Sequence, residues 1–382
     1  MRAIAVIDGE HHEPVVRDAL AELPYEFVGA LFVGGTEKLR GGEGYGVPLV
    51  SSLDELAADV VVDLSDEPVM PPAERFRLAS RALVLGLTYV GADFHFEPPR
   101  LEPFDLPSLS VIGTGKRVGK TAVTAHVARL LARERDVVVV AMGRGGPAEP
   151  ELVETAPTVD DLLALSRSGR HAASDHLEAA ALAGVVTIGC RRAGGGLAGT
   201  VSHSNVAAGA ELALSLEPDV VVFDGSGAAI PPVATSARIL VTTPGHDLDA
   251  YLHPYRVAIS DLVVGVGDVR GAHVSVSLRL RPIQPLGGRR TAVFTTGAAP
   301  VEHLDAELVH VSRNLANREA LRAELPGIDA EVFVVELKAA AIDVVAEEAA
   351  ARGAQLVLAA NDVSGDGLDD AILDLLPAKV PA

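Results

Sequence analysis

A glycine-rich segment, Gly113 to Thr121, constrains the fold of this chain more than any other feature. Its sequence is Gly-Thr-Gly-Lys-Arg-Val-Gly-Lys-Thr; it follows the apolar run LSVIG and precedes AVTAHVARLL, whose apolar residues have helical spacing. A strand, a glycine-rich loop and a helix in this order form a phosphate loop, in which backbone N–H groups and the helix N-terminus bind phosphate. The segment therefore predicts a parallel α/β domain that binds a nucleoside triphosphate.

The residue types within the loop fit this chemistry. Glycines let the backbone approach phosphate without a Cβ in the way. Lys120 is expected to neutralise β- and γ-phosphate oxygens, and the Thr121 hydroxyl to bind Mg²⁺. The common form G-x-x-x-x-G-K-[ST] would have glycine at Thr114, so the first glycine here stands one residue earlier, a spacing that resembles dethiobiotin synthetase. The predicted nucleotide contacts in the loop are Gly113, Thr114, Gly115, Val118, Gly119, Lys120, Thr121 and Ala122.

A second metal ligand is expected at the end of another strand, because Mg²⁺ held by one hydroxyl and two phosphates usually recruits a carboxylate. Asp224, in the run VVVFDGSGAA, stands at such a strand end. A helix-capping or turn aspartate is the alternative interpretation. The sequence thus predicts Thr121 and Asp224 as protein ligands of Mg²⁺, and Ser226, in the turn that follows, as a substrate contact.

The charge of the chain excludes one class of partner. Its 382 residues include 32 Lys and Arg against 52 Asp and Glu, a formal net charge of -20 at pH 7. Nucleic acids are bound through cations that neutralise phosphates, so no nucleic-acid partner is expected. Lysine is scarce, and two of the five lysines, Lys116 and Lys120, lie inside the phosphate loop. We interpret the placement of these two lysines as a local cationic pocket in an otherwise acidic chain.

Other features bear on the compartment. No apolar run approaches the roughly 20 residues of a membrane-spanning helix, and the N-terminus MRAIAVIDGE lacks the regions of a signal peptide. The single cysteine, Cys190, allows no intramolecular disulfide and no cysteine-rich zinc site. These features predict a cytoplasmic protein without membrane contact, and its acidic surface does not preclude a homodimer.

Apolar strands alternate with helices along the chain, which predicts an α/β fold with parallel sheets. We expect three α/β units: a Rossmann-like N-terminal domain (1–96), a P-loop nucleotide-binding domain (108–280) and a small C-terminal domain (281–382). The stretch 97–107 is interpreted as a linker, because its four prolines cannot continue a helix or a central strand. A short helix is predicted in the first domain from Leu53 to Ala58.

Arginines follow two further strands. Arg144 stands between glycines in Met142-Gly-Arg-Gly-Gly-Pro147 and is expected to form bidentate bonds to a phosphate or carboxylate, with a plain surface arginine as the alternative. Arg191 and Arg192 precede a glycine-rich stretch, His203 and a helix, which predicts a second anion site; a loop without ligand is the alternative. His203 is treated as a substrate contact and not as the base of a nucleophile, because no G-x-S-x-G turn accompanies it.

Three more places are candidate contacts. Asp8, Glu10 and His11 lie on a strand-to-helix turn, the usual ligand edge of such sheets, where substrate contact is favoured over turn chemistry or a metal. Lys338 follows the strand VFVVEL, and a phosphate contact and a solvated lysine are about equally supported. Asp268, after the strand DLVVGVG, is included among the predicted nucleotide contacts.

Together these motifs resemble cyclic 2,3-diphosphoglycerate synthetase, a family known mainly from methanogenic archaea. The resemblance lies in all three expected units, in the segments IDGEHHEPVV, VVVDLSDEP, YVGADF, GTGKRVGKTAV, MGRGGP, FDGSGAAIPPV and ELKAAAIDVV. It implies an ATP- and Mg²⁺-dependent ligase that joins the two phosphates of 2,3-diphosphoglycerate into a cyclic pyrophosphate, with release of ADP and phosphate. It also implies catalytic roles for Lys116, Arg117, Lys120 and Arg144.

Two other functions stay open on the sequence alone. A nucleotide-switch or metallochaperone GTPase shares the phosphate loop but would carry a guanine-recognising N-K-x-D motif, where this chain has GVGD. A kinase or amide-forming ligase acting on another acidic metabolite would differ only in its substrate loops.

Overall fold

The computed structural model describes residues 1–34, 44–168, 175–297, 300–337 and 342–377. The strands are β1 (Arg2–Ile7), β2 (Glu26–Phe32), β3 (Leu49–Val50), β4 (Val60–Asp63), β5 (Thr88–Val90), β6 (His95–Phe96), β7 (Ser108–Gly113), β8 (Val137–Gly143), β9 (Glu151–Val153), β10 (Val186–Ala193), β11 (His203–Ser204), β12 (Val220–Asp224), β13 (Ala237–Thr242), β14 (Leu262–Val266), β15 (Val274–Pro282), β16 (Arg290–Phe294), β17 (Glu307–Ser312), β18 (Val332–Glu336) and β19 (Gln355–Ser364). The helices are α1 (Glu13–Glu22), α2 (Pro72–Val84), α3 (Lys120–Leu131), α4 (Val159–Arg167), α5 (Asp175–Ala183), α6 (Val206–Ser215), α7 (His253–Ala258), α8 (Arg318–Glu324), α9 (Ile342–Arg352) and α10 (Leu368–Leu373).

The α/β fold class predicted from the sequence is confirmed. The chain forms two compact units: unit 1 comprises residues Met1–Arg100, Gly196–Thr200 and His246–Ser260, and unit 2 comprises Leu101–Gly195, Val201–Gly245 and the chain from Asp261 onward. No helix among the described residues is both long and apolar enough to cross a membrane.

Unit 1 is built on a six-stranded sheet of order β3-β2-β1-β4-β5-β6. The first five strands of that order are parallel and β6 is antiparallel to β5. β1 is central and buried from Ala3 to Ile7, as expected for a strand covered on both faces. The predicted helix from Leu53 to Ala58 is wrong: turns and bends occupy that segment. Six residues make too few helical hydrogen bonds to repay nucleation, and there Glu55 accepts a hydrogen bond from the backbone N–H of Ser51.

Unit 2 contains one large sheet of order β11-β10-β8-β12-β7-β13-β14-β15-β19-β18-β16-β17, with β9 paired to β10. The strands β10, β8, β12, β7, β13 and β14 run parallel. Helix α3 packs on them through Val123, Val127 and Leu131, which recur every four residues and share a buried cluster with Val111 of β7.

Strand β15 reverses the direction of this sheet. It is parallel to β14 but antiparallel to β19, and β18, β16 and β17 run parallel to β19. The carboxyl ends of the phosphate-loop strands therefore lie at one edge, and those of β16 to β19 at the opposite edge. β15 also spans residues 280 and 281, where a domain boundary was expected; the division into three domains stays a prediction.

Candidate active site

The phosphate loop connects β7 to α3, as the motif requires. Gly119, immediately before the helix, has a left-handed φ of 89°, and a Cβ there would lie 2.7 Å from Cγ2 of Val266. A Cβ on Gly113 would lie 3.0 Å from the carbonyl oxygen of Gly227. Glycine is therefore needed at one position for its backbone conformation and at the other for close approach. The contact with Gly227 brings the turn after β12 against the loop.

The structure explains why threonine stands where the common motif has its first glycine. The backbone N–H of Thr114 donates to the carbonyl oxygen of Val241 at 3.1 Å, which extends the pairing of β7 with β13 by one residue. Its hydroxyl donates to that of Thr242, also at 3.1 Å, and both side chains are buried. Thr114 thus continues the hydrogen bonding of β7 to β13 one residue beyond the end of the strand.

Two polar side chains meet on one oxygen of a third at the base of the loop. The ammonium group of Lys120 and the hydroxyl of Thr124 both donate to Oδ1 of Asp224, the second at 2.7 Å. Asp224 ends β12, next to β7 in the sheet, and is 2% exposed. Because a buried charge is costly without a partner, the ion pair accounts for the stability of this carboxylate inside the sheet.

The residues present fit a magnesium ion held jointly with a nucleotide. Oδ2 of Asp224 takes part in no hydrogen bond among the described residues, and Thr121 lies in the first turn of α3. No group of three or more His, Cys, Asp or Glu side chains in the described part of the chain is arranged to hold a metal ion. Mg²⁺ commonly binds through one or two protein oxygens, completed by phosphate and water, so two ligands suffice here.

Arg144 and Arg192 flank the turn after β12. Nη2 of Arg144 lies 2.7 Å from the position that a Cβ on Gly227 would take, and the Arg144 side chain is exposed. Arg192 is buried and donates through Nη2 to the carbonyl oxygen of Ser226 at 2.8 Å and to its hydroxyl at 3.2 Å. Arg192 therefore shapes the turn, whereas the exposed Arg144 is open to an approaching anion.

Arg191 lies two residues before the end of β10, beside a polar bridge. Oδ1 of Asn205 accepts from the backbone N–H of Arg191 at 2.7 Å, and Nδ2 of Asn205 donates to the carbonyl oxygens of Pro147 and Ala148 at 3.3 and 3.1 Å. Asn205 thus fastens the loop that carries Arg144 to the end of β10. The Nε of Arg191 is buried and has no hydrogen-bond partner among the described residues.

The other predicted unit 2 residues lie at the ends of the strands of the same sheet. Lys116 and Arg117 are exposed on the loop, and Arg117 has a left-handed φ of 63°, which costs a non-glycine residue about 1 kcal/mol. His203 is exposed in β11 and pairs with Ala193 of β10. Asp268 is exposed two residues after β14.

Lys338 lies outside the described residues. Glu336, which ends β18, is buried and accepts hydrogen bonds from the hydroxyls of Thr295 and Thr296 at 2.7 and 3.0 Å. It lies at the sheet edge opposite the phosphate loop, because β15 reverses the sheet. The strand that leads to Lys338 thus ends away from the phosphate loop.

In unit 1, Asp8 lies just after β1 and organises its own turn. The carboxylate is fully buried and accepts from the backbone N–H groups of Asp66 at 2.7 Å and Glu10 at 3.0 Å, and its oxygen Oδ1 lies 2.8 Å from Nδ1 of His11. Burial alone would raise the pKa of Asp8, but these hydrogen bonds outweigh it and hold the pKa below its ordinary value of 3.8. His11 and Asp66 also line a cavity of about 1030 Å³ within unit 1.

Sequence reasoning missed Thr124, Thr242 and Asn205. Thr124 stands four residues after Lys120, on the same helix face, and that spacing was the available signal. The partners of Thr242 and Asn205 come together only when the sheet forms, so no local pattern marks them.

The fold and the site define a P-loop protein whose loop, helix N-terminus and Lys–Asp pair are built for a nucleotide. Family models match three consecutive parts of the chain: the P-loop domain of cyclic 2,3-diphosphoglycerate synthetase at residues 108–269, its N-terminal domain at 2–97 and its C-terminal domain at 282–362. The chain belongs to the cyclic 2,3-diphosphoglycerate synthetase family, as the sequence motifs predicted.

Full-length relatives carry the same name. A cyclic 2,3-diphosphoglycerate synthetase of Rubrobacter xylanophilus is 44% identical over 99% of this chain and 98% of its own. Those of Thermococcus gammatolerans and Methanothermus fervidus are 42% and 36% identical over 97% and 99% of this chain, and over 96% and 97% of theirs. A solved structure, the "apo" form of LpxK from Aquifex aeolicus in complex with ATP, matches 73% of this chain and 91% of its own with a TM-score of 0.45 and 13% identity, too slight a likeness to bear on function.

Proposed function

We propose that this chain joins the two phosphate groups of 2,3-diphosphoglycerate into a cyclic pyrophosphate, while ATP is cleaved to ADP and phosphate. The named relatives support the reaction. The structural observation that supports this reaction is the position of Arg144. This exposed cation lies against Gly227, and the carbonyl oxygen of Gly227 lies against Gly113 of the phosphate loop. A binding place for a second anion thus adjoins the place for the nucleotide.

The physical obstacle to this reaction is repulsion. Each phosphomonoester carries about -1.5 to -2 at neutral pH, so the substrate with its carboxylate carries roughly -4 to -5 and must approach another polyanion. A phosphate oxygen is already ionised, so no nucleophilic serine, cysteine or strong base is needed. Positive charge and positioning are needed instead, since electrostatic stabilisation dominates phosphoryl transfer.

The cations of unit 2 divide this work in the proposal. Lys120 binds the β- and γ-phosphates, while Lys116, Arg117 and Arg144 hold the substrate phosphates in position. Arg191 supplies a buried Nε donor that lacks a partner among the described residues, as expected of a group that binds an anion. Thr121 and Asp224 would hold a magnesium ion, which would supply positive charge to neutralise the nucleotide phosphates.

The reaction has two steps in this proposal. An oxygen of one substrate phosphate attacks the γ-phosphorus of ATP, so that a new P–O bond forms and the bond to the β-phosphate oxygen breaks, releasing ADP. An oxygen of the second substrate phosphate then attacks the phosphorus of the first. The ring closes, and the terminal phosphate leaves with the oxygen that had bridged it to the substrate.

Oxygen-18 in the substrate phosphates tests this route. Purified protein, ATP, Mg²⁺ and labelled 2,3-diphosphoglycerate are incubated, and products are followed by ³¹P NMR and mass spectrometry. We expect the cyclic pyrophosphate, ADP and inorganic phosphate carrying one labelled oxygen. Unlabelled phosphate beside the cyclic product would exclude the two-step route, and a stable phosphorylated product without cyclisation would identify a kinase instead.

A nucleotide comparison separates the proposal from a GTPase. We expect turnover with ATP to exceed that with GTP and to require 2,3-diphosphoglycerate. Nucleotide hydrolysis that is indifferent to 2,3-diphosphoglycerate, or faster with GTP, would overturn the proposed function.

A further inference from the structure

Thr124 lies on the first two turns of α3, at the base of the phosphate loop. Its side chain is 2% exposed, and its hydroxyl donates to Oδ1 of Asp224 at 2.7 Å across the interface between α3 and β12. Valine would fill the same space on a helix packed against apolar residues. Burying a hydroxyl costs free energy, and here a single hydrogen bond to a carboxylate offsets that cost. The presence of threonine in place of valine therefore indicates a specific role for this bond.

Asp224, the partner of Thr124, accepts two hydrogen bonds on one oxygen, and a nucleotide would compete for one of the two donors. Lys120 and Thr124 share Oδ1 of Asp224, while Oδ2 has no hydrogen bond among the described residues. An ammonium group that binds β- and γ-phosphates must direct its donors to them, which weakens its bond to Asp224. Thr124 is then the remaining hydrogen bond that fixes the rotation of the carboxylate.

We infer that Thr124 is a positioning residue: it holds Asp224 by Oδ1 so that Oδ2 is presented to the divalent cation of the bound nucleotide. The inference rests on the proposed function, since it takes Asp224 as a ligand of that cation. Groups that orient a metal ligand typically change metal affinity by about 10- to 100-fold when they are removed.

The test measures cation binding without turnover. Mn²⁺ is titrated into the protein with saturating ADP, and free Mn²⁺ is followed by its electron paramagnetic resonance signal. Thr124→Val, which keeps the shape and removes the hydroxyl, is expected to weaken Mn²⁺ binding to the ADP complex about tenfold. Thr124→Ser, which restores the hydroxyl, is expected to stay within about twofold of the unmodified protein. ADP affinity in EDTA is expected to be equal in all three.

A matched control comes from Thr291, which is also fully buried and donates through its hydroxyl to the carbonyl oxygen of Arg289 at 2.9 Å, on β16 of the same unit. Thr291→Val is expected to leave Mn²⁺ affinity unchanged. Equal Mn²⁺ affinity in Thr124→Val and the unmodified protein, or equal loss in the valine and serine variants, would overturn the inference. Neither the Mn²⁺ affinity nor the ADP affinity depends on 2,3-diphosphoglycerate. Failure of the proposed reaction would therefore be seen separately, as absence of cyclic product.

Discussion

The ammonium group of Lys120, the first residue of α3, is hydrogen-bonded to the carboxylate of Asp224 at the end of β12. Each charge is largely removed from water, and each neutralises the other. On the proposed function, nucleotide binding would draw Lys120 to the phosphates, and Asp224 would then take the divalent cation as its new partner. The pair would in that way couple phosphate binding to metal binding.

The Lys120–Asp224 pair is predicted to stabilise unit 2 in the absence of nucleotide. Lys120→Met and Asp224→Asn should each lower the free energy of unfolding by about 3 kcal/mol, because each leaves a mostly buried charge without its partner. The double variant should lose less than the sum of the two. Urea denaturation followed by circular dichroism checks this, and strictly additive losses would show that the two charges do not interact.

Arg144 is predicted to bind substrate and not nucleotide. Arg144→Met should lower kcat/KM for 2,3-diphosphoglycerate about 10- to 100-fold, the range set by loss of one charge-assisted hydrogen bond. ADP affinity, measured by calorimetry, should not change. Arg322→Met, which removes an exposed arginine on α8, is the control and should retain full activity. A loss of ADP affinity in Arg144→Met would instead assign this arginine to the nucleotide.

Asn205 is predicted to hold the Arg144 loop in place. Asn205→Asp keeps the acceptor for the backbone N–H of Arg191 but replaces the donor to Pro147 and Ala148 with a charged oxygen facing two carbonyl oxygens. We expect KM for the substrate to rise at least tenfold, with ADP affinity intact, because one misplaced loop weakens several anion contacts.

The equivalent substitution at Asn317 is a suitable control for Asn205. Asn317 accepts from the backbone N–H of Ala320 at the N-terminus of α8, a role that aspartate performs equally well. Asn317→Asp should therefore behave as the unmodified protein. If both variants raise KM alike, the effect of Asn205→Asp comes from added negative charge and not from the lost bridge.

Asp8 is predicted to give unit 1 a pH-dependent stability. Its pKa is lowered in the folded state, so the folded protein binds fewer protons than the unfolded chain, and this stability is present above pH 3.8 and is lost as pH falls below it. Asp8→Asn should lower the free energy of unfolding by about 2 kcal/mol at pH 7, through weaker hydrogen bonds, and should flatten its dependence on pH at acidic values.

Tyrosine fluorescence reports this change selectively. The chain has no tryptophan, and its five tyrosines, Tyr25, Tyr45, Tyr89, Tyr251 and Tyr255, all lie in unit 1. Asp18→Asn, on the exposed side of α1, serves as the control and should show the unmodified pH profile. Parallel curves for Asp8→Asn and the unmodified protein between pH 5 and about pH 2 would contradict the assignment.

The sequence predicts those parts of the protein that depend on local pattern. The phosphate loop, the fold class and the family were recognised because glycine spacing and apolar periodicity are properties of short segments. The threonine at position 114, where the common motif has glycine, was visible in the sequence, but its cause was not, since Val241 and Thr242 are distant in the chain. The reversal of the sheet at β15 was missed for the same reason: strand direction is fixed by pairing with β19, some eighty residues away.

The contacts assigned to Lys116, Arg117 and Asp268 stay predictions, because their exposed side chains take their positions from a ligand. The contact assigned to Lys338, which lies outside the described residues, stays a prediction as well. Buried residues are different. Asp224 and Arg192 are oriented by hydrogen-bond partners inside the protein, so their geometry can be argued without a bound ligand.

The hydrogen-bonded pairing of β15 with β19 determines where this chain can be divided into fragments. The pairing extends from Ser277 with Ser364 to Pro282 with Ala359, so strands on both sides of it share one hydrogen-bonded network. A fragment that ends before β16 would expose a long unpaired edge on β15. A fragment that begins at β16 would expose the matching unpaired edge on β19. Exposed strand edges of this kind promote aggregation. The last quarter of the chain is therefore not an exchangeable module, and shortened versions of unit 2 should keep both strands.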